Sequence, residues 1–177
     1  MRSSFSITLS VWKAILLRES LDRLFDVRAA WLWLLLEPAM HIGFLAFVWG
    51  VLRARDIGGM DTVIWVMVGM LSFFLFRRTG IQTMYAIDCN KSLFIYRQVK
   101  PFDAALVRAV LEGFLMTMIA LAMLSAALLF GREALPVDPR RGATSLSGRW
   151  RVALGDGLIT SGLRKRGPEI EHILNII

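Results

Sequence analysis

Glu37, Pro38 and His41 lie inside the most apolar stretch of the chain, AWLWLLLEPAMHIGFLAFVWG, Ala30 to Gly50. A carboxylate and an imidazole four residues apart share one helix face and can hydrogen-bond or pair. Pro38 removes an amide donor and frees backbone groups near Leu34, kinking the helix. Neither polar side chain is comfortable in hydrocarbon, so this face must turn to another helix or to an aqueous path. Glu112, near the start of a later apolar run, is a companion carboxylate favoured by the partial positive charge of a helix N-terminus. Two readings stand for these groups. They shape a conduit entrance or a moving helix contact, or they are a structural arrangement at a helix start near lipid headgroups.

Little else in the chain has the makings of chemistry. With two histidines and no clustered nucleophile, there is no organised acid–base set or metal cluster. Cys89 is the only cysteine, so a disulfide within the chain is impossible and a thiol metal site is not expected. The phosphate-cradling pattern G-x-x-x-x-G-K-[ST] does not occur. The expectation is a non-enzyme that holds no cofactor and no metal of its own.

The elements that must position these residues are apolar on a scale unusual for soluble proteins. The 177 residues are 56% hydrophobic, with six Trp and eleven Phe, and the mean hydropathy is +0.57. This apolar content is blocked into runs, which predicts an all-α integral membrane protein. A net charge of +7 could suggest nucleic acid, but the cations cluster beside the apolar runs as topology signals do. No nucleic-acid partner is expected. Lys13 breaks the first apolar patch and no small-residue cleavage site follows, so no cleaved leader is expected.

Residues 1–28 read as a tail and an interfacial amphipathic helix lying on the lipid bilayer. Ala14, Leu17, Leu21, Leu24 and Phe25 share one face, with Glu19, Asp22, Arg23 and Asp26 on the other. A membrane-embedded core follows at 29–130, with transmembrane helices at about 30–52, 60–76 and 109–130. The first and third runs are long enough for roughly 30 Å of hydrocarbon at about 1.5 Å per residue. The second needs Arg77 and Arg78 to extend toward the headgroups. Gly113, Ala120, Ala122 and Ser125 suit close helix contact in the third. Trp31, Trp33 and Trp49 fit aromatic belts at the membrane–water interface. Basic residues crowd the N-terminus and the loop 77–108, whereas only Arg53 and Arg55 lie between the first two spans. That asymmetry predicts a multi-pass protein with both the N-terminus and the long loop in the cytoplasm.

Within the loop, NKSLFIYRQVKPFD mixes Lys91, Arg97 and Lys100 with Phe94, Tyr96, Val99 and an interrupting Pro101. A short rigid element carrying cations and aromatics suits docking into a groove on a partner; contact with headgroups is the plainer reading. For Arg18–Glu19 on the surface helix, either the loop or the headgroups could be the partner.

Four segments carry a family resemblance. ILLRESLDRLFDVRAAWLWLLLEPAMH, VMVGMLSFFLF, SLFIYRQVKPFDAALVRAVLEG and GLITSGLRKRGPEIEHILNII occur in the order and spacing of the inner-membrane permeases of bacterial capsule-polysaccharide exporters. The chain is thus similar to the ABC-2 type transporter group. That resemblance implies a six-span permease subunit in the bacterial inner membrane, pairing with a second copy of itself (a homodimer) and with cytoplasmic ABC ATPase subunits. The ATPase would bind the ATP that drives lipid-linked capsular polysaccharide outward, and the docking segment would meet that ATPase. It also places Glu37, Pro38 and His41 on the cytoplasmic side of the first span.

At 131–177 the chain departs from the family pattern. RRGATSLSGRWRVALGDGLITS replaces a fourth apolar span, and its Arg and Asp residues each cost about 2.5–3.5 kcal/mol at the membrane midplane. The expectation is a degenerate C-terminal third, of the kind that a pair of compensating frameshifts would leave. The chain stops within EHILNII, where the family has two more spans, so a truncated fragment or decayed copy is expected. Two alternatives accompany the capsule reading: an ABC-2 exporter of O-antigen or another substrate, and a non-transporting membrane scaffold that binds an ATPase.

Overall fold

The structure, a computed structural model, describes residues 4–25, 30–52, 56–57, 60–132, 134 and 138–164. The described residues form five long helices: α1 (Ser4–Phe25), α2 (Ala30–Leu52), α3 (Thr62–Cys89), α4 (Pro101–Leu129) and α5 (Pro139–Arg164). A minimal antiparallel ribbon, β1 (Asp56–Ile57) with β2 (Met60–Asp61), joins α2 to α3 and pairs Ile57 with Met60. A 3₁₀ turn, Lys91–Ile95, stands between α3 and α4.

Both central helices outlast their apolar runs. Side-chain and backbone caps fix their ends. Asp61 caps α3, its carboxylate accepting from the Val63 amide at 2.8 Å. Helix α3 then continues past Arg77 and Arg78 to Cys89, well beyond the expected boundary at residue 76. The polar residues after Arg78 include Thr79 and Thr83, which are buried between helices. Helix α4 starts at Pro101, earlier than the expected 109, with proline in the first turn, where its missing amide costs nothing. It stops at Gly131, whose φ of +73° lets the Arg132 amide reach the Ala127 carbonyl at 3.1 Å and the Gly131 amide reach Leu128 at 3.0 Å. At about 1.5 Å per residue both helices exceed 40 Å, more than the roughly 30 Å of hydrocarbon.

Among the described residues, α3 and α4 are the two helices long and apolar enough to cross a bilayer, and the apolar stretch of α2 is Leu36–Trp49. The architecture is all-α and fits a membrane protein. Its core runs along α3, where Ile64, Met67, Leu71, Phe74 and Leu75 pack with Ile42 of α2 and with Met116 and Ile119 of α4. The outward faces carry Phe44, Phe47, Trp65, Phe73, Phe114 and Leu121. Large apolar side chains facing out along several helices are what a lipid surround requires.

The segment expected to be degenerate forms α5 and lies along α3. Ala153, Gly157 and Ser161, one every fourth residue, are its buried positions. The contact is tight: a Cβ on Gly157 would stand 2.5 Å from Thr83 Cβ and 2.7 Å from the Gly80 carbonyl oxygen. Trp150 donates its indole N–H to the Ala109 carbonyl of α4 at 2.8 Å. Arg140, Arg149, Arg151 and Asp156 stay exposed. Small residues face inward and charges outward, so a sequence too polar for a candidate span still makes a packed helix.

Candidate functional site

Helix α1 presents two different faces. Leu9, Ala14, Leu17 and Leu21 are exposed, together with Lys13, whereas Ile15 and Glu19 are buried. Glu19 therefore departs from the polar outer face that helical spacing suggests; it is only 4% exposed and points into the protein. Arg18 takes the outer role and pairs loosely with Asp22 at 3.7 Å. The Arg23 side chain lies outside the described residues.

Glu19 joins three elements. Its Oε1 accepts from Asn90 Nδ2 at 2.9 Å, and its Oε2 lies 3.3 Å from Arg108 Nε on α4. Asn90, fully buried, also donates to the Ala86 carbonyl at 2.9 Å. Nearby on α1, Trp12 donates its indole N–H to Asp103 Oδ1 at 2.9 Å. The other oxygen of Asp103 accepts from the Lys100 amide at 3.1 Å. Asn90 and Asp103 are the two roots of the segment between α3 and α4, and α1 holds both. Sequence spacing left Glu19 a choice between loop and headgroups; the geometry selects the root of the loop.

A second charged layer lies one helical turn further along α4. Glu112, 1% exposed, stands 3.2 Å from Arg78 Nε. Arg78 Nη2 is also 3.8 Å from Glu37 Oε2. One guanidinium thus meets carboxylates from α2 and α4. His41 does not bond the Glu37 side chain: its Nδ1 lies 2.9 Å from the Glu37 carbonyl oxygen, and its ring meets Phe74 edge-on at 5.7 Å. Pro38 is buried beside this junction. A cleft of about 190 Å³ opens among Glu37, Phe74, Arg77, Arg78, Ile81 and Gln82.

Between its two roots, the 91–100 segment is displayed. Ile95 is 85% exposed, and Tyr96, Arg97, Lys100, Pro101 and Phe102 are exposed too, with Phe94 and Val99 half-buried. Lys91 pairs with Asp88 at 2.9 Å. Arg164, at the end of α5, reaches the other oxygen of Asp88 at 3.3 Å and stacks over Tyr85 at 4.4 Å. Apolar, aromatic and cationic groups on a short turn with anchored ends form a surface suited to another protein.

Of the residues singled out from sequence, the structure brings Glu37, Pro38, His41 and Glu112 to one junction and the 91–101 set to one surface. Trp12, Asn90 and Asp103 are the participants that spacing missed. Arg78 and Arg108 are visible in sequence only as cations flanking apolar runs. The one available signal is the Arg108–Glu112 separation of a single helical turn. Among the described residues no three of His, Cys, Asp or Glu gather closely enough to hold a metal.

No family model matches the chain. It is 27% identical over 176 residues to the polysialic acid transport protein KpsM of Escherichia coli, covering 99% of this chain and 68% of that protein. The chain is homologous to capsule-export inner-membrane proteins. The capsule polysaccharide export inner-membrane protein BexB of Haemophilus influenzae is 28% identical over 111 residues, 63% of this chain and 42% of its own length. For CtrC of Neisseria meningitidis the values are 26% over 135 residues, 76% of this chain and 51% of its own length. The E. coli match covers 99% of this chain, so it spans α5, across the interval where the motif resemblance lapses. The exporter homologues and the charged junctions thus occupy the same stretch of chain.

Proposed function

We propose that the chain is the permease subunit of an ATP-driven exporter that moves lipid-linked capsular polysaccharide across the bacterial inner membrane. The observation that carries this reading is the match to a polysialic acid transport protein over nearly the whole chain. The geometry supplies the parts such a subunit needs: an apolar exterior, an α2 with Pro38 inside it beside a charged junction, and a displayed segment anchored at both roots. In this reading α2, α3 and α4 cross the membrane, α1 lies on its inner surface, and both the N-terminus and the 91–100 segment are cytoplasmic. The segment receives the ATPase subunit, which alone holds ATP, and a second copy of the chain completes the conduit. No step of bond chemistry falls to this subunit.

Expression in a capsule-export mutant lacking its own permease tests the reading. Surface capsule returns with the chain and its ATPase, and is lost again with Ile95→Asp or Tyr96→Asp. Failure of this chain, and of a version extended by the relatives' remaining length, to restore capsule would contradict it. A second reading, a membrane scaffold that binds the ATPase without transporting, is favoured by the exposed charges of α5. It predicts ATPase capture without capsule.

A further inference from the structure

We infer that Glu19, Arg108, Glu112, Arg78 and Glu37 form a single row of alternating charge that transmits the state of the docking segment to α2; this rests on the ATPase-docking reading above. The row begins at the root of the segment, where Asn90 bonds Glu19 at 2.9 Å. Glu19 meets Arg108 at 3.3 Å. Arg108 and Glu112 sit one turn apart on α4, on one side of the helix. Glu112 meets Arg78 at 3.2 Å, and Arg78 meets Glu37 at 3.8 Å, next to Pro38. Every second member is a cation, and four elements contribute: α1, α4, α3 and α2.

The row is mostly out of water except at its α2 end. The Glu19, Arg108, Glu112 and Arg78 side chains are 6, 13, 1 and 19% exposed, whereas Glu37 is 38% exposed. The inner links cannot open without stranding a charge away from water. Of the three ion pairs the terminal one is the longest, the most solvated and beside the 190 Å³ cleft. Arg78 therefore has a fixed partner in Glu112 and an exchangeable one in Glu37. A change at the root of the segment shifts α1 and α4 together through Glu19, moves Arg78 with Glu112, and makes or breaks its hold on α2. Two packed arrangements sharing one guanidinium are the kind of discrete element that carries coupling between sites. Arg78 and Glu19 are positioning residues in this scheme; neither need touch the glycan.

The test uses the full chain bound to its ATPase in lipid nanodiscs. Cys89→Ala removes the sole thiol, and nitroxide labels go on Phe44→Cys in α2 and Phe114→Cys in α4, both exposed. Pulsed spin resonance reads the α2–α4 distance with and without a non-hydrolysable ATP analogue. With the row intact, the analogue changes the ratio of two distance populations by at least about fivefold, the lower range of ordinary coupling. Glu37→Gln and Glu19→Gln bring that change to about onefold while the ATPase still co-purifies; Arg78→Met does the same and Arg78→Lys restores part of it. An undiminished change in both glutamine variants, or no change with the row intact, overturns the inference. Failure of the ATPase to co-purify with the unsubstituted row is a separate result, and it overturns the docking reading itself.

Discussion

Arg78 compensates a carboxylate that is almost entirely out of water, and that sets what its loss should do. Arg78→Ala takes a cation away from the buried Glu112, and breaking one side of a buried ion pair costs about 3–5 kcal/mol in comparable sites. Thermal unfolding in detergent should show a large loss, mostly recovered in the double variant Arg78→Ala with Glu112→Gln. Arg18→Ala, which removes only an exposed pair with Asp22, should cost less than about 0.5 kcal/mol. Asp61, outside the proposed membrane-crossing helices, gives a second residue-scale prediction. Partial burial pushes its carboxyl up, but the hydrogen bond and charge of Arg132 and the Val63 amide outweigh that and hold it below the ordinary 3.8. A depressed carboxyl contributes stability that is full above its unfolded value and is lost as pH falls through the folded one. Asp61→Asn should therefore lower stability modestly at neutral pH and lose its effect well below pH 3.8. Denaturation profiles of the two forms should converge there. At this scale sequence shows polar groups that do not belong in hydrocarbon, which is how Glu37, His41 and Glu112 stand out. It does not show their partners. Glu19 and Asn90 are 71 residues apart, Trp12 and Asp103 are 91 apart, and only packing brings them together.

Helix positions were legible where apolar runs are long, and helix ends were not. The run 60–76 stops at Arg77, yet α3 goes on to Cys89 because its later turns are buried against α5 rather than against lipid. Hydropathy reports a lipid surround and is silent about a helix covered by another helix. The same limit hid α5, whose apolar content is low but whose buried stripe is made of Ala153, Gly157 and Ser161. Two glycine substitutions separate packing from propensity on this helix. Gly157→Ala pushes a methyl group into Thr83 and the Gly80 carbonyl, and overpacking of this kind costs about 1–3 kcal/mol. Gly155→Ala meets nothing within 4 Å and should stabilise by about 0.5–1 kcal/mol through helix propensity. Opposite shifts in unfolding temperature support a packed α5. Equal small gains would mean that α5 does not rest on α3.

Across the whole molecule, the proposed function depends on which side of the membrane the anchored segment faces. The proposed orientation rests on the basic residues and the proposed machine on the similarity to exporter proteins, while α1 ties the segment's roots to the buried charge row. The sole cysteine lies where that geometry can be read without any substitution: Cys89 is exposed and ends α3, two residues before the 3₁₀ turn. A membrane-impermeant maleimide applied to spheroplasts and to inverted inner-membrane vesicles therefore measures the central claim directly. The account predicts labelling of Cys89 in inverted vesicles and none in intact spheroplasts. Labelling in spheroplasts would place the segment outside, out of reach of any ATPase, and would contradict the account.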